Sequence, residues 1–130
     1  MDAGAEGNGL REQDLTLDIA LQLRRMLEYN GFQVVMTRYG RFVKGGRRTL
    51  TESLRTRCVI ANQARADIFV SIHANAGGGT GTEVYALPGG RAQKLAGNLM
   101  GHLAREGSWA NRGVKTNQRW DVLVYTYMRC

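Results

Sequence analysis

The sequence has few of the residues that mark disulfide-rich, proline-rich or membrane-spanning chains. It contains two cysteines and one proline, and no apolar run approaches the roughly 20 residues that a transmembrane helix needs. Two cysteines, Cys58 and Cys130, do not form a disulfide scaffold. Residues 1–6 have neither the basic region nor the apolar core of a signal peptide. We therefore expect no membrane insertion, and no signal peptide in this chain.

Acidic residues are also scarce. Asp and Glu number 11 against 18 Lys and Arg, which gives a formal charge of +7. This excess favours polyanionic partners in general, but it does not choose among nucleic acid, a membrane surface and an anionic cell wall. The length of 130 residues suits one domain, residues 1–130, because such a chain buries about two-thirds of the surface that its unfolded form exposes.

Apolar residues at helical spacing predict three helices. The first begins near Asp14 and stops at Asn30-Gly31, the second has Thr51 as its N-cap and runs to about Arg65, and the third stops at Gly107. Their predicted buried stripes contain, in order, Leu15, Ile19, Leu23 and Met26/Leu27; Leu54, Cys58, Ala61 and Ala64; and Leu95, Leu99 and Leu103, with Met100 beside them.

Short apolar or alternating runs predict strands between these helices. The predicted strands are residues 32–38, 68–73, 82–87 and 121–126, and the predicted loops are residues 1–9, 39–50 and 108–119. Strands separated by helices predict an α/β fold, a single domain with a largely parallel central sheet flanked by helices.

Two residues are candidates for chemistry at the carboxyl edge of that sheet. His73 ends the most apolar strand, and Glu12 lies just before the first helix. Imidazole nitrogen and carboxylate oxygen are typical zinc ligands. The spacing alone favours structural roles over a metal site, with His73 closing a strand and Glu12 favoured by the positive end of a helix dipole.

Other possible metal ligands have structural explanations. His102 flanks the predicted stripe of the third helix, and Cys58 lies on the apolar face of the second, where a free cysteine acts as a small hydrophobe. Asp14 suits a helix start, whereas Asp2 and the terminal Cys130 remain possible ligands without support from spacing.

Four stretches of the sequence resemble one known family in the same order. They are Gly-Leu-Arg-Glu-Gln-Asp-Leu-Thr-Leu-Asp-Ile-Ala at 9–20, Ala-Asp-Ile-Phe-Val-Ser-Ile-His-Ala-Asn-Ala at 66–76, Gly-Thr-Glu-Val-Tyr at 81–85, and Asn-Arg-Gly-Val-Lys at 111–115 leading into Val122-Leu123. The chain resembles the zinc-dependent N-acetylmuramoyl-L-alanine amidases over nearly its whole length. The run from Ser71 to Ala76 is the most specific part of this resemblance.

The resemblance implies an activity and a metal site. In that family, two histidines and a glutamate hold Zn²⁺, and a second glutamate is the general base. By position, Glu12 matches the glutamate ligand and His73 the second histidine ligand. The implied reaction cleaves the amide bond between N-acetylmuramic acid and L-alanine in peptidoglycan. It also implies a location outside the cytoplasm, in the cell wall or periplasm.

The sequence departs from the family pattern at both ends. The family's first histidine ligand would precede Met1, and its catalytic glutamate lies beyond Cys130, so the general base is unknown here. We expect an incomplete amidase domain that lacks the first and last strands of the family. Exposed sheet edges of this kind favour strand pairing, which predicts a homodimer.

Three functional hypotheses follow. The first is a zinc-dependent peptidoglycan hydrolase, and the second is a catalytically impaired or inactive amidase-like module that only binds peptidoglycan. The third, a nucleic-acid-binding domain, is disfavoured because the arginines do not alternate with aromatics and no recognised motif is present. The basic segment 41–48 suits contacts with muropeptide carboxylates or wall polymers, and equally suits a solvated loop.

Overall fold

The computed structural model describes residues 6–7, 9–43, 49–74, 80–116 and 126. Within these residues the elements are, in chain order, β1 (Glu6–Gly7), β2 (Leu10–Arg11), α1 (Glu12–Tyr29), α2 (Leu50–Gln63), β3 (Thr82–Ala86), α3 (Gly90–Glu106) and β4 (Asn111–Thr116). The strands β1 and β2 pair antiparallel, whereas β3 and β4 pair parallel. None of the helices in the described ranges is long and apolar enough to cross a membrane.

The segment from β3 to β4 is a βαβ unit. Parallel neighbours need a crossover connection, and α3 supplies it while packing against both strands. Val84 pairs with Val114 and Tyr85 with Lys115 along the ladder. This unit confirms the predicted α/β class with a parallel sheet and flanking helices.

The buried face of α3 differs from the predicted stripe. Ala96 and Met100 are buried, whereas Leu99 and Leu103 are 38% and 39% exposed. Residues four apart lie on one face of a helix, and α3 packs on β3 and β4. The helix therefore turns the face that carries Ala96 and Met100 toward the sheet.

The second helix begins two residues earlier than predicted. Its N-cap is Thr49, whose hydroxyl accepts from the backbone N–H of Glu52 at 3.3 Å. The carboxylate of Glu52 accepts in return from the backbone N–H of Thr49 at 2.8 Å. This reciprocal capping box satisfies two helix-end donors, so Thr49 and not Thr51 begins the helix.

Several predicted strands and loops are corrected by the structure. Residues 32–38 and 68–73 form no strand ladder with other described residues. Strand propensity produces a strand only where a neighbouring segment pairs with it, and the described ladders join β1 to β2 and β3 to β4. The predicted linker 108–119 contains β4, and the predicted loop 1–9 contains β1. The predicted strand 121–126 lies outside the described residues except for Thr126.

A carboxylate links the two parallel strands. Glu83 of β3 has a side chain that is 8% exposed, and its Oε2 accepts from Nζ of Lys115 on β4. Nη2 of Arg112, at the start of β4, lies 3.1 Å from the same oxygen. Two cations from one strand thus compensate a nearly buried carboxylate on the other, at the point where the ladder shifts register between Thr82 and Val84.

Gly81 allows the close approach at the start of the sheet. Its φ is +112°, and a Cβ there would overlap the carbonyl oxygen of Ala110 and lie 2.9 Å from the Ala110 Cβ. That same carbonyl accepts from the backbone N–H of Thr82 at 2.9 Å. A side chain at position 81 would therefore push apart the chain segments that lead into β3 and β4.

We expect Gly81→Ala to lower the free energy of unfolding by at least about 2 kcal/mol, since the backbone conformation is strained for alanine and the added atom clashes. The matched control is Gly97→Ala in α3, where an added Cβ meets nothing within 4 Å. The control should stabilise the protein by about 0.5–1 kcal/mol, because alanine is the better helix former. Urea denaturation measures both changes, and equal effects of the two substitutions would contradict this account.

The capping box gives a second prediction. Thr49→Ala should destabilise the protein by about 1 kcal/mol, because it removes the side chain that accepts at the helix start, and Thr49→Ser should retain most of the stability. Thr51→Ala is the matched control, since Thr51 lies inside the helix and is exposed. Thermal unfolding followed by circular dichroism compares the three variants. A larger loss for Thr51→Ala than for Thr49→Ala would restore Thr51 as the cap.

Candidate functional site

The structure brings together the two residues that the sequence predicts as metal ligands. Nδ1 of His73 lies 3.2 Å from Oε1 of Glu12, although 61 positions separate them in the sequence. The Glu12 side chain is 15% exposed and that of His73 is 58% exposed. The pair therefore lies at the surface, with the carboxylate sheltered and the imidazole open to an incoming ligand.

The start of α1 places the carboxylate. Glu12 is the first residue of the helix, directly after the N-cap Arg11, which makes no side-chain capping hydrogen bond. The helix dipole favours negative charge at this end. Oε1 of Glu12 also accepts from the backbone N–H of Ala74 at 3.0 Å. One carboxylate oxygen thus contacts both His73 and the residue that follows it, which anchors the segment 73–74 to the start of α1.

Ser71 orients the imidazole from its other side. Its Oγ lies 3.0 Å from Nε2 of His73. Since an ionised carboxylate only accepts, Nδ1 of His73 donates to Glu12 and Nε2 accepts from the Ser71 hydroxyl. Hydrogen bonds on both ring nitrogens fix the tautomer and the rotation of the ring. A metal ion at Nδ1 would replace the proton on that nitrogen, and Ser71 would then hold the ring through Nε2, as hydrogen-bond partners do for the free nitrogen of metal-binding histidines.

The separation of the two candidate ligands suits a tetrahedral zinc ion. Ligand atoms about 2.0–2.1 Å from zinc and subtending a tetrahedral angle lie about 3.3 Å apart. Nδ1 of His73 and Oε1 of Glu12 are 3.2 Å apart. The donor types, one imidazole nitrogen and one carboxylate oxygen, also belong to the set that zinc prefers. The two residues therefore fit the metal that the resemblance implies.

The described ranges contain no group of three or more His, Cys, Asp and Glu residues that could hold a metal ion. His102 is engaged on its own helix, where its Nδ1 accepts from Nη2 of Arg105 at 2.7 Å. Asp14 pairs with Arg11 at 2.5 Å, and Cys58 is buried in α2. The remaining candidates, Asp2 and Cys130, lie outside the described residues.

Two features of the site escaped the sequence reasoning. Ser71 stands two positions before His73, so the alternation of side chains in an extended chain already predicts that both face the same side. Arg38 hydrogen-bonds to the first turn of α1, at the backbone oxygen of Gln13. No local pattern signals the Arg38 contact, because it joins residues 25 positions apart.

Comparisons with known families, sequences and structures all point to one family. A profile of the family described as N-acetylmuramoyl-L-alanine amidase matches residues 1–130. The sporulation-specific N-acetylmuramoyl-L-alanine amidase of Bacillus subtilis is 40% identical over 120 residues, covering 88% of this chain and 44% of that protein. The amidase CwlM of Bacillus licheniformis is 48% identical over 90 residues, covering 68% of this chain and 32% of that protein. The chain thus spans less than half the length of these two relatives.

Two solved structures share the fold. The N-acetylmuramoyl-L-alanine amidase of Clostridium difficile 630 superposes with a TM-score of 0.82 at 27% identity, over 97% of this chain and 68% of that one. The catalytic domain of the amidase CwlV from Bacillus (Paenibacillus) polymyxa var. colistinus gives a TM-score of 0.78 at 28% identity, with the same coverage. The match over the full chain, the relatives and the shared fold lead to one conclusion: the chain belongs to the N-acetylmuramoyl-L-alanine amidase family.

Proposed function

We propose that this chain is an amidase-like catalytic domain, residues 1–130, that hydrolyses the amide bond between N-acetylmuramic acid and L-alanine of peptidoglycan. In this proposal Glu12 and His73 are two of the ligands of a catalytic zinc ion. The observation that carries the proposal is the 3.2 Å contact between their side chains. Membership of the family and the donor chemistry of the pair both support it.

The residues around the pair have the properties that a metal site requires. Oε1 of Glu12 contacts both Nδ1 of His73 and the backbone N–H of Ala74. Ser71 holds the imidazole from the side opposite Glu12. These contacts restrict both ligands before any metal binds, and such restriction favours affinity because less freedom is lost on binding.

In the reaction, the oxygen of water bonds to the carbonyl carbon of the lactyl group and the C–N bond breaks. The lactyl group becomes a carboxylate, and L-alanine leaves with a free amino group. Zinc, when bound, lowers the pKa of its water toward about 7 and polarises the amide carbonyl. The chain's own contribution is to orient: Glu12 is held by the N–H of Ala74, and His73 by Ser71.

Peptidoglycan is the proposed partner, in the cell wall or periplasm, in preference to nucleic acid. Membership of the amidase family supports this preference, and the formal charge of +7 suits any polyanionic partner, an anionic wall included. Arg112 and Lys115 pair with Glu83 across the sheet. These two cations therefore stabilise the contact between β3 and β4 as well as contributing to the positive charge of the chain.

The test is an incubation of the purified protein with peptidoglycan sacculi and added zinc. Mass spectrometry of the soluble fraction should detect stem peptides with a free N-terminal L-alanine, and a chelator should stop their release. His73→Ala and Glu12→Gln should each lower the rate roughly 100-fold or more, since changes around a metal ligand alone cost about 10–100-fold.

His102→Ala is the matched control, because His102 is the other histidine of the chain and hydrogen-bonds to Arg105 on its own helix. This control should release peptides at the wild-type rate and bind the same amount of zinc. Unchanged zinc content in His73→Ala would overturn the ligand assignment. Wild-type protein that sediments with the sacculi without releasing peptides would replace the hydrolase by a module that only binds the wall.

A further inference from the structure

Arg38 ties the first turn of α1 to a segment far away in the sequence. Its Nη2 donates to the backbone oxygen of Gln13 at 2.5 Å and to Oγ1 of Thr16 at 3.1 Å, while its Nη1 donates to the backbone oxygen of Gly40 at 3.0 Å. A guanidinium offers its donors in a rigid planar fork, so these bonds fix its position strongly. Gln13 directly follows Glu12, and the tie therefore acts beside a candidate ligand.

Thr16 extends this tie to Glu12 itself. Its hydroxyl accepts from Arg38 and donates to the backbone oxygen of Glu12 at 2.8 Å. Thr16 is 7% exposed and is the buried residue of α1. The guanidinium of Arg38, the hydroxyl of Thr16 and the carbonyl of Glu12 thus form a continuous chain of hydrogen bonds, shielded from water at its centre.

A second contact holds the same two segments together. The guanidinium carbon of Arg24, in α1, lies 5.4 Å from the ring centre of Tyr39, the residue after Arg38. Arg24 is itself fixed by Glu28, whose Oε1 accepts from its Nε at 2.8 Å. The segment 38–40 therefore contacts α1 through Arg38 and through Tyr39, and the Arg38 contact reaches the turn that carries Glu12.

We propose that Arg38 is a positioning residue: through Gln13 and Thr16 it fixes the backbone of Glu12, and so sets where the Glu12 carboxylate meets His73. The part of this proposal that concerns metal affinity rests on the proposed function. The part that concerns the contact between Glu12 and His73 does not, because that contact exists without a metal.

The substitution Arg38→Lys separates this role from a general need for positive charge. Lysine keeps the charge but places its three donors on one nitrogen, so it cannot span Gln13, Thr16 and Gly40 as the two terminal nitrogens of the planar fork do. Thr16→Val removes the hydroxyl from the same chain of bonds at similar volume, and Thr16→Ser restores it. Arg38→Lys and Thr16→Val should therefore act in the same direction at the site, with the larger effect for Arg38→Lys because Thr16→Val leaves the bond to Gln13, and Thr16→Ser should resemble the wild type.

The first readout is the imidazole NMR spectrum of the metal-free protein, recorded as long-range nitrogen–proton correlations that report which ring nitrogen carries the proton. The chain has two histidines, His73 and His102, so each signal serves as the reference for the other. We expect Arg38→Lys and Thr16→Val to shift the His73 signals and leave those of His102 in place. Arg105→Lys, which changes the partner of His102, should do the reverse.

The second readout is zinc affinity, measured by competition with a chromophoric chelator. Arg38→Lys and Thr16→Val should weaken zinc binding by about 10-fold to 100-fold, the range found for residues that orient metal ligands. Arg105→Lys should bind zinc as the wild type does. A change in overall stability alone would not move the His73 signals at a temperature where every variant is folded.

The outcomes distinguish the two proposals. His73 signals that stay unchanged in both Arg38→Lys and Thr16→Val would overturn the positioning role, whatever the zinc affinity. If those signals shift but the wild type itself does not bind zinc, the positioning role stands and the proposed metal site fails. A zinc affinity of Arg38→Lys within 2-fold of the wild type, with shifted signals, would overturn the claim that positioning controls metal binding.

Discussion

The carboxylate of Glu12 is the point at which distant parts of this chain meet. Its Oε1 contacts Nδ1 of His73 and accepts from the backbone N–H of Ala74, so it joins the start of α1 to a segment 61 positions later. The carboxylate can do this because the helix end around it is electropositive and offers no competing capping side chain. The candidate site exists only while this contact holds.

Scarce acidic residues occupy positions that organise the fold. With 11 acidic residues against 18 basic ones, a carboxylate has many possible cationic partners. Glu52 completes the capping box that begins α2, and Glu83 joins β3 to β4 through Arg112 and Lys115. Glu12 therefore joins α1 to the segment 73–74, Glu52 caps the start of α2, and Glu83 joins β3 to β4. This use of carboxylates explains how a strongly basic chain keeps a defined structure despite its excess of like charge.

The sequence predicts the helices and β3 because these depend on local patterns, whereas Glu12 and His73 were singled out as ligands by the family resemblance. Periodicity places α3, and its stop at Gly107 agrees with the structure. The pattern does not show which face of α3 is buried, since this depends on the sheet it packs against, and Leu99 and Leu103 are more exposed than Ala96. The strand β4 was hidden because its polar composition matches a linker, and only pairing with β3 makes it a strand. Arg38 was invisible for the same reason, because its contacts with Gln13 and Thr16 are tertiary.

The central claim is that Glu12 and His73 share a zinc ion. X-ray diffraction from crystals of the protein grown with zinc, collected above and below the zinc absorption edge, tests this directly. The account predicts an anomalous peak about 2.0–2.2 Å from a carboxylate oxygen of Glu12 and from a ring nitrogen of His73. Zinc bound elsewhere, with the 3.2 Å contact between the two side chains intact, would contradict it.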